Sequence, residues 1–212
     1  MRICFAILVF VTIAISGDVR AYPEPAVVQR PGDWTLEVVF NRLQQISVKC
    51  PGEPTPGRYW YIILTLTNRI GSDVPFYPAC DLMTDTFRIV PAGKGVRGLV
   101  FDQIKLRHQG RCPFVENIDL AGNRVLEGVD NTKDIVIIWP DFDPKAKSIT
   151  LFIAGLSNET AAIDHPTATD DEGNPVKVYL RKTLVLEYAV GSDAKLRALA
   201  KLAYKGKRWV MR

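Results

Sequence analysis

Histidine and cysteine are scarce in this chain, and each scarcity removes a class of chemistry. Two histidines among 212 residues, His108 and His165, are too few for a zinc site of imidazole ligands. Of the four cysteines, Cys4 lies in the first apolar run, which leaves Cys50, Cys80 and Cys112. Three thiols allow at most one intramolecular disulfide and are too few for a disulfide scaffold, so a packed core must carry most of the stability. Cys80 and Cys112 both lie in stretches that read as loops, and their pairing is the expected one. No internal repeat and no low-complexity tract is present, and no run after the first fifteen residues is long and apolar enough to span a bilayer.

The first 21 residues have the layout of a secretory signal peptide. Arg2 supplies the positive start, Cys4 to Ile15 is apolar apart from Thr12, and Val19-Arg20-Ala21 fits the small-x-small cleavage rule. The apolar run is about a dozen residues, against the roughly twenty that a spanning helix needs. Ala14-Ile15-Ser16 is the other cleavage site that fits, and retention as an uncleaved anchor is the alternative. The expected localisation is therefore periplasmic or extracellular. Residues 22–33 form a Pro-rich lead.

Period-two hydrophobicity dominates the rest of the chain. Leu36, Val38 and Phe40 alternate with Thr35, Glu37 and Val39, and Ile46–Val48 makes a second short strand. Tyr59–Thr67 (YWYIILTLT) is aromatic and β-branched throughout. Thr86–Val90, Ile135–Trp139, Ile149–Ala154, Val176–Tyr179 and Leu184–Val190 obey the same logic. Helical spacing appears twice, in Leu99–His108 and Ala194–Leu202. Strands separated by Pro, Gly, Asn and Asp clusters predict a mainly β fold, a β-sandwich over 34–190 with one or two short helices, and then a basic extension over 191–212.

Two features suggest binding surfaces. On the strongest strand, Trp60, Ile62, Leu64 and Leu66 share the core face, while Tyr59 and Tyr61 share the other. Their rings would stand roughly 6.6–7 Å apart, a spacing that suits a sugar-stacking platform. The competing reading packs them under the lead or the helix. From Asp193 to Arg212, seven basic residues face a single acidic one. Lys205, Lys207, Arg208, Trp209 and Arg212 could contact an anionic surface. The apolar Trp209-Val210-Met211 instead favours a terminal strand whose Trp209 and Met211 dock on the domain.

The motifs that resemble catalytic or metal sites are incomplete. Gly155-Leu156-Ser157-Asn158-Glu159 begins like a nucleophile elbow, but Glu159 stands where that strained turn needs a small residue. Asp164 and His165 are sequence neighbours, awkward for a relay to Ser157. Asp164, His165, Asp170, Asp171 and Glu172 lack the alternating spacing of a calcium loop, and Asp141-Phe142-Asp143-Pro144 reads as a turn. Asn158-Glu159-Thr160 is a glycosylation sequon.

Four stretches carry a resemblance. IVIIWPDFDPKAKSITLFIAGLSNET (135–160), LRKTLVLEYAVGSD (180–193) and RWVMR (208–212) resemble uncharacterised exported proteins of planctomycetes and related bacteria. TLTNRIGSDVPFYP (65–78) is similar to a strand-turn segment of bacterial immunoglobulin-like extracellular domains. The resemblance implies an immunoglobulin-like fold; it brings no activity and no functional residues with it. Together these readings lead to an expectation of a non-catalytic, exported cell-envelope protein acting as a structural or interaction module, the alternative being a carbohydrate-binding module. No cofactor is expected. The expected partner is an envelope protein or polysaccharide rather than nucleic acid.

Overall fold

The computed structural model describes residues 23–191 and 202–212; the leader and most of the expected second helix lie outside them. The fold is mainly β, with 51% of the described residues in strands and 8% helical. In order the elements are β1 (Glu37–Phe40), β2 (Gln44–Val48), β3 (Gly57–Asn68), β4 (Val74–Pro75), β5 (Ala79–Thr84), β6 (Ile89–Pro91), α1 (Gly98–His108), β7 (Glu116–Asn117), β8 (Arg124–Val125), β9 (Gly128–Pro140), β10 (Ser148–Ala154), β11 (Thr160–Thr169), β12 (Pro175–Ala189) and β13 (Ala203–Met211).

One sheet is centred on β3 and β9, which pair antiparallel from Tyr59↔Pro140 to Leu66↔Lys133. The opposite edge of β3 carries β1 and β2 in tandem, and β7 adds a short parallel pair to β9. The second sheet runs β6-β5-β10-β12, with β13 along the far edge of β12. Beyond the end of β10 the same edge of β12 pairs with β11, forming a long hairpin.

Both faces of β3 and β9 are covered, which is why their sequences read as nearly continuous apolar runs. Trp60, Ile62, Leu64, Leu66, Ile135, Ile137 and Trp139 face the second sheet, whose Leu82, Leu151 and Leu186 complete one core. Tyr59, Tyr61, Ile63, Val136 and Ile138 face the other way, into a second core closed by Val100 and Ile104 of α1. Those two are one helical turn apart on the inner stripe. Arg97 Nη1 donates to the Pro51 carbonyl (2.7 Å) and Arg107 Nη1 to that of Gln45 (3.1 Å), fixing both ends of the helix along β2.

Several expectations change here. Cys80 faces the core between the sheets and Cys112 the core beneath α1, with the first sheet between them. A sheet is too thick a separator for the Cα spacing of about 4.4–6.8 Å that a disulfide requires. All three described cysteines are free thiols. The strand expected at Thr86–Val90 is instead a hairpin turn and then β6. Thr84 and Arg88 close a three-residue loop whose last member, Phe87, has φ of 60°, the left-handed position at which such loops normally place glycine. The strands expected at Val176–Tyr179 and Leu184–Val190 are one strand, β12. β5 and β11 stand where loops were expected.

Candidate functional site

The polar side chains that invited chemical readings hold the backbone. Ser157 Oγ donates to the Trp34 carbonyl (2.6 Å) and accepts from Thr35 Oγ1 (3.0 Å). His165 Nδ1 accepts the N–H groups of Thr167 and Ala168, at 3.2 and 2.8 Å. The hydroxyl and the imidazole therefore do not form a relay. Asn158 Oδ1 accepts from Trp34 N (2.6 Å) and its amide donates to the Gly32 carbonyl (2.9 Å), so the sequon residue ties the lead to the domain.

The carboxylates are similarly engaged. Asp164 pairs with Lys177 across the hairpin. Asp170 accepts from the N–H groups of Glu172 and Asn174, which closes the turn and holds its carboxyl below the usual range. Asp141 accepts from Trp60 Nε1 (2.8 Å), and Asp143 from Thr86 (2.8 Å) and Lys145 N (2.9 Å). No group of three or more metal-ligating side chains occurs among the described residues.

Tyr59 and Tyr61 are not a surface platform. Both are buried in the second core, covered by α1. A sugar cannot stack on either ring, so that expectation is corrected. Tyr61 Oη lies 2.9 Å from His108 Nε2 and 3.1 Å from Gln44 Oε1, with Arg107 Nη1 at 3.4 Å. Burial pushes the Tyr61 phenol up and the His108 imidazolium down, and the Arg107 and Arg111 cations lower His108 further.

This arrangement has a pH consequence. With its folded pKa depressed, His108 takes up a proton in the unfolded chain before it does so in the folded one. Its contribution is constant above the ordinary imidazole pKa of about 6.5 and declines as pH falls from there through the folded-state value. Chemical unfolding at about pH 7.5 and about pH 5.5, on either side of that ordinary value, should show a loss of stability in the wild type that is reduced in His108→Gln. Equal losses in the two proteins would contradict this assignment.

The basic C-terminus forms strand β13. Trp209 packs against the inter-sheet core opposite Leu184, and Met211 is buried opposite Lys182. Arg208 pairs with Glu187 (2.9 Å), Arg212 with Asp81 (3.2 Å), and Lys207 Nζ lies 5.8 Å from the Phe40 ring centroid. Of the five residues considered for an anionic surface, Lys205 is left without such a contact among the described residues. The thiols are withdrawn too: burial, reinforced by nearby carboxylates, pushes Cys80 and Cys112 upward and disfavours the reactive thiolate.

Sequence reasoning missed the buried charge pair beside this strand. Glu159 Oε2 and Lys182 Nζ stand 2.8 Å apart, with side chains 2% and 9% exposed. The other carboxylate oxygen accepts from Ala26 N (2.6 Å), and the ammonium lies 5.6 Å from the Trp209 ring centroid. Burial alone would push the Glu159 carboxyl up; the Ala26 N–H and the Lys182 ammonium outweigh it and hold the group below its usual range. Lead, β12 and β13 thus meet at one ion pair. Two apolar neighbours of Lys182, Leu180 and Leu184, give the sequence signal that its ammonium needs a buried partner.

No helix among the described residues is long and apolar enough to cross a membrane. Compared with family models, curated proteins and solved structures, the chain matches none.

Proposed function

We propose that this chain is an exported, non-catalytic cell-envelope protein that acts as a structural or interaction module on an immunoglobulin-like β-sandwich. The leader pattern of Arg2, the apolar run and Val19-Arg20-Ala21 supports export. Two mostly antiparallel sheets around a shared core support the sandwich, with α1 as an added layer on one outer face.

The observation that carries the interaction reading is the outer part of the β11–β12 hairpin. From Thr160 to Arg181 nearly every residue is exposed or half-buried, and Tyr179 is 71% exposed. A two-stranded ribbon open on both faces adds little to the stability of a domain. Such an arm recovers burial when it lies against a partner.

Two experiments test the proposal. Mass spectrometry of the protein from its host should find an N-terminus at or within a few residues of Tyr22; intact Met1 on a cytoplasmic species would contradict export. Replacing Ala162–Tyr179 by an Asn-Gly turn should leave the thermal midpoint nearly unchanged and weaken retention on envelope material. Loss of the fold with this replacement would mean that the arm is part of the core, and full retention would mean that partners bind elsewhere.

A further inference from the structure

We propose that a trough crossed by Tyr77 binds a saccharide chain. Two depressions meet at this residue. One, of about 260 Å³, runs past Trp34 to Arg181 at the foot of the hairpin arm. The other, of about 490 Å³, runs past Asp119 and Asn123. Tyr77 lines both, and 66% of it is exposed.

The exposed ring is held on an immobile backbone. Phe76 beside it is fully buried and donates its N–H to the Asn123 carbonyl (2.8 Å). From the other side Gly155, at φ of +89°, packs so closely that a Cβ there would stand 2.6 Å from the Tyr77 carbonyl oxygen. The backbone that carries the ring is therefore held in place, which lowers the backbone part of the ordering cost of binding.

The surrounding chemistry selects the ligand class. The side chains of Arg181, Asp119 and Asn123 have no hydrogen-bond or ion-pair partner among the described residues. All three are planar and can make two hydrogen bonds to neighbouring hydroxyls. The negative face of Tyr77 suits the polarised C–H face of a pyranose. Both depressions are open, unlike sites that enclose most of a small ligand, so the fit is to a chain passing over the surface. Trp34 offers a second, half-buried aromatic edge along that path. Carbohydrate recognition thus belongs to Tyr77 on an outer loop, not to the buried Tyr59 and Tyr61.

Native electrophoresis tests this directly. The protein as its host produces it is run through gels containing laminarin, xylan, galactomannan, alginate or solubilised peptidoglycan glycan strands. At least one should retard the wild type. Tyr77→Ala should weaken that retardation by about tenfold or more, Tyr77→Phe should keep it, and Arg181→Ala and Asp119→Ala should each reduce it. Retardation by none of the gels would overturn the proposal, as would equal retardation of wild type and Tyr77→Ala. The proposal rests on the reading of the chain as a binding domain, and reducing-end analysis separates the two. New reducing ends made by the wild type and lost in Tyr77→Ala would support the trough while overturning the non-catalytic reading.

Discussion

Replacing Glu159 with alanine should destabilise the protein by about 3–5 kcal/mol, because Lys182 would be left as a buried, unpaired charge. That is a large share of the roughly 5–15 kcal/mol by which folded domains exceed their unfolded chains. The Lys182 side chain is only 9% exposed and cannot turn its ammonium into water without leaving the space between Met211 and Trp209. Urea unfolding should show a lower midpoint with an unchanged slope. The paired change of Glu159 to leucine and Lys182 to methionine should recover most of the loss, since two apolar side chains leave no stranded charge. The pH dependence has a defined sign. A carboxyl held low in the fold stabilises above its unfolded pKa of about 4.3, and that contribution is lost as pH falls through its folded-state value. Wild type and Glu159→Ala should therefore converge in acid. A variant as stable as wild type at neutral pH would show that the pair contributes nothing.

Deleting Lys207–Arg212 should also be costly. The deletion removes the buried Met211, at about 1.5–3 kcal/mol for a fully buried side chain, and the half-buried Trp209 packed against the core. It also strips the ladder partners of Lys182 to Leu186. For a domain of this size the thermal midpoint should fall by on the order of 10 °C or more. Salt-dependent retention on anionic lipid or polysaccharide should not change, because Arg208 and Arg212 are paired to Glu187 and Asp81. Unchanged stability with lost retention would make this end an anchor.

The mainly β class and the major strands were legible because runs of β-branched and aromatic residues, and period-two alternation in the half-buried strands, are local properties. YWYIILTLT and IVIIW became β3 and β9, and Leu99–His108 became α1, displaced by a residue at one end. The sequence of β3 announced that both of its faces were apolar; it could not say what covered Tyr59 and Tyr61. That depends on where the chain brings α1, farther along the sequence. The strands mistaken for loops share one feature. In β5, Cys80, Leu82 and Thr84 point inward, but an apolar Met83 facing outward and a polar Thr84 facing inward obscure the alternation. In β11, Ala161 and Ile163 are the half-buried positions, but Ala162 between them blurs the alternation, and Pro166 with the Asp cluster after it suggested a turn. β5 is held by β10, distant in sequence, and β11 by the next strand of its own hairpin; in both cases the pairing stabilises the strand against weak local preference.

The candidate trough was still less legible. Tyr77 in VPFYP looks like any loop aromatic, and its exposure results from Phe76 taking the buried position beside it. Asp119 and Arg181 both lie far beyond Tyr77 in the chain and meet it only through the register of the two sheets. Cysteine misled for the same reason: Cys80 and Cys112 are close enough in sequence to pair, and a whole sheet separates them in space.

The most direct measurement is co-sedimentation of the protein, in the form its host exports, with that host's envelope material. The proposed interaction module should pellet with the envelope, the version lacking Ala162–Tyr179 should pellet less completely, and the envelope material should come through chemically unaltered. A wild type that stays in the supernatant, or one that releases soluble fragments from the envelope, would contradict the account.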